Sequence, residues 1–561
     1  MEYVLFVIVM VGVVFIFMVN GYLDYKKSEK KFIKKLYENY GKLPDKEYKP
    51  EQFENISHYF FKHREGFCID DITWNDLNMD EVFKRMNYTH SAAGEEYLYY
   101  TLRKPVTDKE ELQRREEEID YFRTHPDDRV SFQVIFSKLG RIGKFSIYDY
   151  LDYLEDLGTR SNLPHYLAFL LILIAIAVMF VNVPIGLLSL VCVFIYNNIS
   201  YFKIKNEIDP YVTSFSYIFR LLEAVDQVRK QRVSVLSEKQ ALLKECSGSM
   251  LSFKTGSFLL MSSGRMSGSG NPLDMLVDFL RMTFHLDLIK FNQMLSEVRK
   301  HIDQIDNMLT LMGQIETAIV IGEYRESLDQ YCIPEFTGQI MIEAKKLYHP
   351  LLHEPVKNDI STNKSILITG SNASGKSTFL KTVALNAILA QTIHTVLADS
   401  YRGAMFRICS SMALRDDVQG GDSYYMVEIK ALKRILDELH EGGLPVLCFV
   451  DEVLRGTNTV ERIAASTQIL RSMTDKNCLC FAATHDIELT HLLEDCYRNY
   501  HFSEEIADND IYFSYKIKNG RAATRNAIKL LGIMGYDSAI IQKAEDMAGE
   551  FLKAGVWQGS S

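Results

Sequence analysis

The first apolar segment of the chain runs from Tyr3 to Leu23 without a charged residue. Its length matches the ~20 residues with which a helix crosses a ~30 Å hydrocarbon core. The chain begins Met-Glu and the segment ends Asn-Gly-Tyr-Leu, so it lacks the basic start and the small-residue cleavage site of a signal peptide. The pattern therefore predicts an uncleaved transmembrane anchor over residues 1–23.

A second apolar segment extends from Tyr166 to Phe202 and is interrupted at Asn182, which Pro184 follows closely. The interruption predicts two short helices joined by a tight turn. The first of them, LAFLLILIAIAVMFV, has no polar face at any helical spacing, which favours a transmembrane hairpin over residues 165–203. The alternative is a helical hairpin buried in the core of a soluble protein.

Two later segments have the apolar spacing of long helices. After the hairpin, apolar residues alternate steps of four and three, at Tyr211, Phe215, Ile218, Leu222 and Val225. A helical period restarts further along, at Ile302, Ile305, Leu309 and Met312. A Gly/Ser-rich stretch over residues 262–272 lies between them. The spacing predicts two long packed helices that flank a flexible joint.

From Ser365 onward, short apolar strands alternate with helices, which is typical of an α/β domain with a mostly parallel sheet. The predicted fold is therefore an all-α region with three transmembrane helices, followed by an α/β domain. A chain of 561 residues with 47% hydrophobic residues is large enough for several such domains.

Charge and cysteine content limit the kinds of ligand and metal site that the chain is expected to have. The formal net charge of −10 argues against a surface that binds a polyanion as a whole, so any DNA contact would be local, for example at Arg229–Arg232 or Arg299–His301. The nine cysteines are scattered and form no CxxC pair, which indicates reduced thiols. Cys478 and Cys480 share one face of a predicted strand, which favours core packing over metal binding. No metal other than Mg²⁺ is expected.

The strand SILITG leads into a stretch that matches the GxxxxGK[ST] pattern of a P-loop in full. In such a loop the backbone N–H groups and the N-terminus of the following helix hold phosphate, while the lysine reaches the β- and γ-oxygens of ATP and the next hydroxyl binds Mg²⁺. The alternative is a Gly-rich turn that binds no nucleotide. The predicted phosphate-binding residues are Gly370, Ser371, Asn372, Ala373, Ser374, Gly375, Lys376, Ser377 and Thr378.

Two later strands end in polar residues. One apolar strand ends in Asp451 and Glu452, a Walker B pattern in which Asp451 would reach the Mg²⁺ shell and Glu452 would orient or deprotonate the attacking water. The next strand is followed by His485, which would sense the γ-phosphate. Taken alone, the acids fit a solvated strand end and His485 fits a surface position. The order of the three motifs favours an ABC-type ATPase with Lys376, Glu452 and His485 as catalytic residues and with Ser377 and Asp451 as metal ligands.

Four segments in this order resemble the signature stretches of the MutS ATPase domain, namely TGSNASGKST (369–378), SYYMVEI (423–429), VDEVLRGTNT (450–459) and ATHDIELT (483–490). Residues 304–336 resemble the end of the MutS lever helix, and residues 89–122 resemble the start of its core domain. The resemblance and the apolar segments together imply the following division: 1–23 anchor, 24–85 N-terminal cytosolic segment, 86–160 first part of the core, 165–203 hairpin, 204–336 core and lever helices, 337–537 P-loop ATPase domain, and 538–561 helical dimerisation element and tail.

The MutS resemblance also implies that two ATPase domains pair, so that the chain would form a homodimer with composite ATP sites. Ser423 would then approach the γ-phosphate bound by the other subunit. Arg455, Gly456, Thr457 and Asn458 would follow the dimer interface, for which a solvated loop is the alternative.

The chain departs from mismatch-reading MutS proteins, because no Phe-x-Glu wedge precedes the core match. One hypothesis is a DNA-binding, mismatch-repair-related switch tethered to the inner (plasma) membrane, and another is a membrane ATPase that acts on a protein partner without DNA. A transporter is disfavoured, since three short apolar helices without an intramembrane charge make a poor substrate path. Basic residues after the anchor and after the hairpin place the ATPase domain in the cytoplasm.

Overall fold

A computed structural model describes residues 2–48, 50–142, 146–254, 279–371, 374–412, 424–474, 477–507, 510–522, 528, 531 and 535–554. They form two compact units. The helical unit comprises Met1–Arg64, Met86–Tyr100 and Arg114–Ser327. The sheet unit comprises Glu65–Arg85, Thr101–Gln113 and Leu328–Ser561.

The described residues up to Ser327 fold mainly into helices. Residues 279–284 are helical. The other helices are α1 (Glu2–Glu38), α2 (Pro50–Ile56), α3 (His58–His63), α4 (Asp71–Asp76), α5 (Met79–Met86), α6 (Ala92–Arg103), α7 (Lys109–Thr124), α8 (Pro126–Leu139), α9 (Ile147–Asp156), α10 (Leu163–Val181), α11 (Val183–Lys230), α12 (Ser237–Ser249), α13 (Leu251–Lys254), α14 (Leu286–Lys300) and α15 (Ile302–Glu326).

Two long helices contribute much of the core of the helical unit. α11 has 48 residues and α15 has 25. At Gly313, α15 lies so close to α6 that a Cβ would stand 2.5 Å from Tyr97 Cβ, and only glycine permits this approach. The two predicted helical seams are confirmed, because their side chains are buried at Phe215, Ile218, Leu222, Val225, Ile305, Leu309 and Met312.

A buried carboxylate joins α15 to the start of α6. Glu316 Oε1 accepts hydrogen bonds from the backbone N–H groups of His90 at 2.5 Å and Ser91 at 3.1 Å, and Glu316 Oε2 accepts one from the Ser91 hydroxyl. Burial raises the pKa of Glu316 to about 7, although these hydrogen bonds act to lower it. The Ser91 hydroxyl in turn accepts a hydrogen bond from the Gly94 N–H at 3.0 Å, so this glutamate holds the residue that caps α6 and titrates near neutral pH.

The helix break predicted at Asn182 is confirmed. α10 ends at Val181, and the Asn182 side chain accepts a hydrogen bond from the backbone N–H of Ile185 at 3.2 Å, which caps α11. The two helices approach closely at Gly186, where a Cβ would meet Met179 Cα at 2.4 Å. α11 then continues through the predicted hairpin boundary and reaches Lys230 as one helix.

The hairpin helices are apolar and mostly exposed. α10 and the Val183–Ile208 part of α11 are long and apolar enough to cross a membrane, and only 22% and 11% of their apolar windows are buried. A hairpin inside a soluble core would be mostly buried, so this exposure favours the transmembrane interpretation. The α1 backbone is helical, but most of its side chains before residue 19 lie outside the described residues, so the anchor stays a prediction.

The sheet unit contains two sheets. A six-stranded sheet has the order β10-β9-β4-β8-β7-β6, parallel from β9 to β6 with β10 antiparallel to β9, in strands β4 (Ile366–Thr369), β6 (Arg407–Ser411), β7 (Val446–Asp451), β8 (Cys478–Ala483), β9 (Arg498–Ala507) and β10 (Asp510–Asn519). This confirms the predicted parallel sheet. A four-stranded sheet, which the sequence pattern did not indicate, has the order β1-β5-β2-β3 in β1 (Glu335–Phe336), β2 (Ile342–Leu347), β3 (Asn358–Thr362) and β5 (Ser400–Gly403).

Helices follow the strands of the larger sheet, and they are α16 (Lys376–Thr392), α17 (Tyr424–Glu438), α18 (Thr459–Thr474), α19 (Ile487–Leu492) and α20 (Ser538–Ala554). An early segment also belongs to this unit. Asp76 of α4 accepts hydrogen bonds from the Ser410 hydroxyl at 2.7 Å and the Met412 N–H at 2.9 Å, and Asp70 pairs with Arg434. These contacts fasten α4 beside β6.

All nine cysteines are free thiols, as the scattered spacing predicts. Cys480 of β8 and Cys448 of β7 are fully buried in the core beside the larger sheet, with Cys478 packed against them. The expectation that the cysteines of this strand serve core packing is confirmed.

Candidate functional site

A Gly-rich turn connects β4 to α16. All residues of β4 are buried, and the turn begins at Gly370 with φ +148° and ends at Gly375 with φ +103°, which are conformations that L side chains rarely adopt. A Cβ at Gly370 would lie 2.7 Å from Ser374 Oγ and 3.0 Å from the Phe502 carbonyl oxygen. The glycine positions of the sequence motif are therefore required by the backbone itself.

Lys376, the first residue of α16, folds back over this turn. Its ammonium donates hydrogen bonds to the carbonyl oxygens of Gly370 and Ser371, each at 2.9 Å, and lies 3.3 Å from His485 Nε2. The side chain is buried, and desolvation lowers its pKa even though Asp451 and Glu452 act to raise it. A cation is thus held at the turn with its charge only partly compensated.

Ser377 and Asp451 meet across the sheet edge. The Ser377 hydroxyl donates a hydrogen bond to Asp451 Oδ2, at the end of β7. Burial raises the pKa of Asp451, while this hydrogen bond acts to lower it. Asp451 Oδ1 is buried and has no hydrogen-bond partner among the described residues. A hydroxyl and a carboxylate with a spare oxygen are hard donors of the kind that Mg²⁺ prefers.

Glu452 follows β7 in a left-handed conformation, with φ +58°, that is uncommon for a residue with a side chain. Its N–H donates to the Ala483 carbonyl oxygen at 2.9 Å, its Oε1 lies 2.8 Å from His485 Nε2, and its other oxygen pairs with Arg455. Burial acts to raise the pKa of Glu452, but His485 and Arg455 hold it below its usual value. This carboxylate is kept ionised at neutral pH.

A cavity of about 380 Å³ opens beside the turn, between the loop before β3 and the start of α16. Tyr515 lines it from a bulge in β10, with φ +51°, and its ring stands 3.1 Å from where a Cβ on Gly375 would be. Asn358 holds the bulge, since its Nδ2 donates to the Tyr515 carbonyl oxygen at 2.9 Å. The predicted phosphate turn therefore has a partly apolar chamber next to it.

The sequence of this region is similar to proteins of known family. Residues 366–552, from β4 to the C-terminal helix, match the family model of MutS domain V. A DNA mismatch repair protein MutS of Rickettsia bellii (strain RML369-C) is 30% identical over 301 residues, which are 51% of this chain and 33% of that protein. About half of this chain is therefore similar to that MutS protein, and residues 366–552 are similar to MutS domain V. A DNA mismatch repair protein MutS of Rickettsia felis (strain ATCC VR-1525 / URRWXCal2) is 31% identical over 259 residues, which are 44% of this chain and 28% of that protein, so each match spans about a third of the relative.

Within the region that matches MutS domain V, the structure brings together the side chains that the sequence predicts, namely Lys376, Ser377, Asp451, Glu452 and His485. Gly370, Ser371, Ser374, Gly375 and Thr378 form the turn and the first turn of α16. Asn372, Ala373 and Ser423 lie outside the described residues.

Sequence reasoning missed two side chains that hold the loops of this site. Glu428 of α17 is buried, and its Oε1 accepts hydrogen bonds from the backbone N–H groups of Leu454 at 2.5 Å and Arg455 at 3.4 Å. Arg462 of α18 forms a bidentate pair with Asp486 at 2.9 and 2.7 Å, next to His485. The sequence signal for Glu428 was a carboxylate inside the segment SYYMVEI, which had been recognised for other residues. No motif or spacing in the sequence pointed to Arg462.

Proposed function

We propose that this chain is a Mg²⁺-dependent ATPase that binds and hydrolyses ATP to switch a helical dimer anchored in a membrane. The observation that carries the proposal is the convergence of Lys376, Ser377, Asp451, Glu452 and His485 at one edge of the six-stranded sheet, each within hydrogen-bonding distance of another member. MutS domain V and the names of the relatives support the same class of activity.

In this proposal, the backbone of residues 370–378, including Asn372 and Ala373, holds the phosphates at the N-terminus of α16. Lys376 exchanges the loop carbonyls for β- and γ-oxygens. Ser377 and Asp451 hold Mg²⁺, which neutralises phosphate charge when bound. The nucleoside lies in the chamber lined by Tyr515, whose ring faces the phosphate turn.

Glu452 is the general base for the attacking water, because its carboxylate is ionised and lies beside His485, directly after Asp451 at the end of β7. Arg455 and His485 orient it. His485 Nε2 lies between Glu452 Oε1 and Lys376 Nζ, at 2.8 and 3.3 Å, so it is placed to respond to charge on the terminal phosphate. The test is phosphate release by the full chain in detergent with and without Mg²⁺, and no Mg²⁺-dependent release would contradict the proposal.

The site is completed by a second subunit in this proposal. Ser423 approaches the partner's nucleotide, the loop of Arg455, Gly456, Thr457 and Asn458 follows the interface, and α20 contributes to dimerisation. Several apolar side chains on these elements are exposed, among them Met426, Val460, Ile540 and Met547. Sizing of detergent-solubilised chain should show an ATP-dependent dimer, and monomer alone would contradict the composite site.

We also propose that α1 and the hairpin of α10 and α11 anchor the chain in the inner (plasma) membrane, with the sheet unit in the cytoplasm. The exposed apolar faces of the hairpin support this, as do the basic residues that follow α1's apolar part, such as Lys26 and Lys27. A reporter fused after Leu23 should be cytoplasmic and one inserted at Asn182 should be external. A cytoplasmic reporter at Asn182 would instead favour the alternative that the hairpin is buried in the core of a soluble protein.

Two partners are weighed. The relatives are named DNA mismatch repair proteins, which supports a DNA-binding role related to mismatch repair. The net charge of −10 and the proposed anchor favour a protein partner instead. Capture of partners by the full chain trapped with ATP as Glu452→Ala, assayed for duplex DNA and for proteins, separates the two.

A further inference from the structure

The helical unit contains a second cavity, of about 340 Å³, far in sequence from the nucleotide motifs. It lies between the loop that follows α9 and the junction of α14 with α15. The residues that matter here are Glu155, Arg160, Asn292, Arg299 and Lys300.

The charge of this cavity is predominantly positive, with three cationic side chains and one carboxylate in its lining. Arg299 Nη1 is buried and has no hydrogen-bond partner among the described residues, and Lys300 is exposed and makes no ion pair within the same described part of the chain. Arg160 reaches Glu207 only at 3.4 Å, and the Glu207 side chain is 52% exposed. Two cations of the lining therefore remain available to an anionic ligand.

The cavity lies at the base of the exposed hairpin. Arg160 precedes α10 by three residues, and Asn292 of α14 donates a hydrogen bond to Asn162 Oδ1, immediately before α10, at 2.9 Å. Exposed apolar side chains begin directly above, at Leu163 and Tyr166. If the hairpin crosses a bilayer, this position is the level of the lipid headgroups.

We propose that this cavity binds the phosphate headgroup of an anionic phospholipid, with Arg299 and Lys300 as its ligands. The proposal rests on the membrane placement of the proposed function. Lipid is favoured over free phosphate because Leu295 and Ile302 give the lining an apolar part beside the cations, which suits the glycerol end of a lipid. Lipid is favoured over DNA because a cavity of about 340 Å³ holds a single phosphate group, whereas a duplex presents a row of them.

The test uses full-length chain in detergent and a fluorescent short-chain phosphatidylglycerol as the probe. Arg299→Gln/Lys300→Gln should weaken probe binding by about 25-fold, since each juxtamembrane cation contributes about a factor of five. The matched control is Lys230→Gln/Arg232→Gln, which removes the same charge from exposed positions outside the cavity and should leave binding unchanged. Equal binding by both double variants would overturn the proposal.

Competition identifies the ligand class. Neutral phosphatidylcholine, inorganic phosphate and duplex DNA should each displace the probe far more weakly than unlabelled phosphatidylglycerol. Stronger displacement by phosphate or by DNA would overturn the assignment to lipid. Alkaline extraction of cell membranes tests anchoring separately: a chain released into the soluble fraction refutes the membrane placement, whereas a retained chain with no lipid preference refutes only the cavity. The melting temperature of each variant controls for misfolding.

Discussion

Two glutamates, the partly buried Glu452 in the sheet unit and the fully buried Glu316 in the helical unit, show opposite uses of the same side chain. Glu452 lies between His485 and Arg455, and these two side chains keep its pKa low. Glu316 is fully buried among N–H and hydroxyl donors with no adjacent cation in its hydrogen-bond shell, and its pKa rises to about 7. The neighbouring cations keep the Glu452 carboxylate ionised at neutral pH. The Glu316 carboxyl, which is buried among neutral donors, instead titrates near neutral pH.

The largest effect is expected from removing Lys376, the cation beside Glu452 and His485 in the candidate ATP site. Lys376→Ala should reduce turnover by about 10³-fold and weaken ATP binding, because Lys376 is the ammonium that lies over the turn. Phosphate release and nucleotide binding measure the two effects. Lys364→Ala, at an exposed position just before β4, is the matched control and should retain both. Unchanged turnover in Lys376→Ala would remove the ATP-site assignment.

Glu452→Ala separates binding from chemistry. ATP binding should persist while turnover falls by 10²–10³-fold, because a general base contributes about that much. An ATP-closed dimer should then accumulate on a sizing column. Glu316→Gln in the helical unit should change turnover per folded molecule by no more than about two-fold. A loss of turnover comparable to that of Glu452→Ala would show that the two glutamates do not differ in role.

The role of Glu316 can be tested by measuring how the stability of α15 depends on pH. Between its ordinary pKa of 4.5 and the folded value of about 7, the folded state binds more protons at Glu316 than the unfolded chain does. The stability of this region should therefore fall as pH rises through that window, by about 3 kcal/mol for this group. Hydrogen exchange of α15, corrected for intrinsic rates, should show the decline. Glu316→Gln should flatten it, and Glu326→Gln, at an exposed position on the same helix, should not.

A smaller effect is expected from the residue that positions the loop after β7. Glu428→Ala removes the acceptor for two backbone N–H groups, at a cost of ~1–3 kcal/mol, and should lower kcat by about 10-fold with little change in ATP affinity. Glu428→Gln retains the acceptor oxygen and should recover most of the activity. Equal loss in both variants would show that charge, not positioning, is the role of Glu428.

The parts of the fold that local pattern controls could be read from the sequence. Asn182 with Pro184 ended one helix and began the next, and the steps of three and four from Phe215 to Val225 became a buried seam. Strand-end polar residues met because the carboxyl ends of parallel strands share one edge of a sheet. The functional roles of those residues stay predictions.

Features that depend on distant contacts could not be read in this way. The pairing of β2 with β3 and β5 is set by tertiary packing, and β2 and β5 are separated by more than fifty residues of sequence. Tyr515 owes its position to a bulge in β10, and the attachment of α4 to the sheet unit depends on Asp76 meeting Ser410. No local period marks any of these contacts.

The length of α11 has a mechanical consequence. Its 48 residues make a rod of about 72 Å that runs without interruption from the capped turn at Asn182 to the packed seam around Leu222. Pro210 lies inside the rod without ending the helix. Because one helix joins the apolar hairpin to the packed seam around Leu222, a tilt of its apolar end would be transmitted to the core of the helical unit.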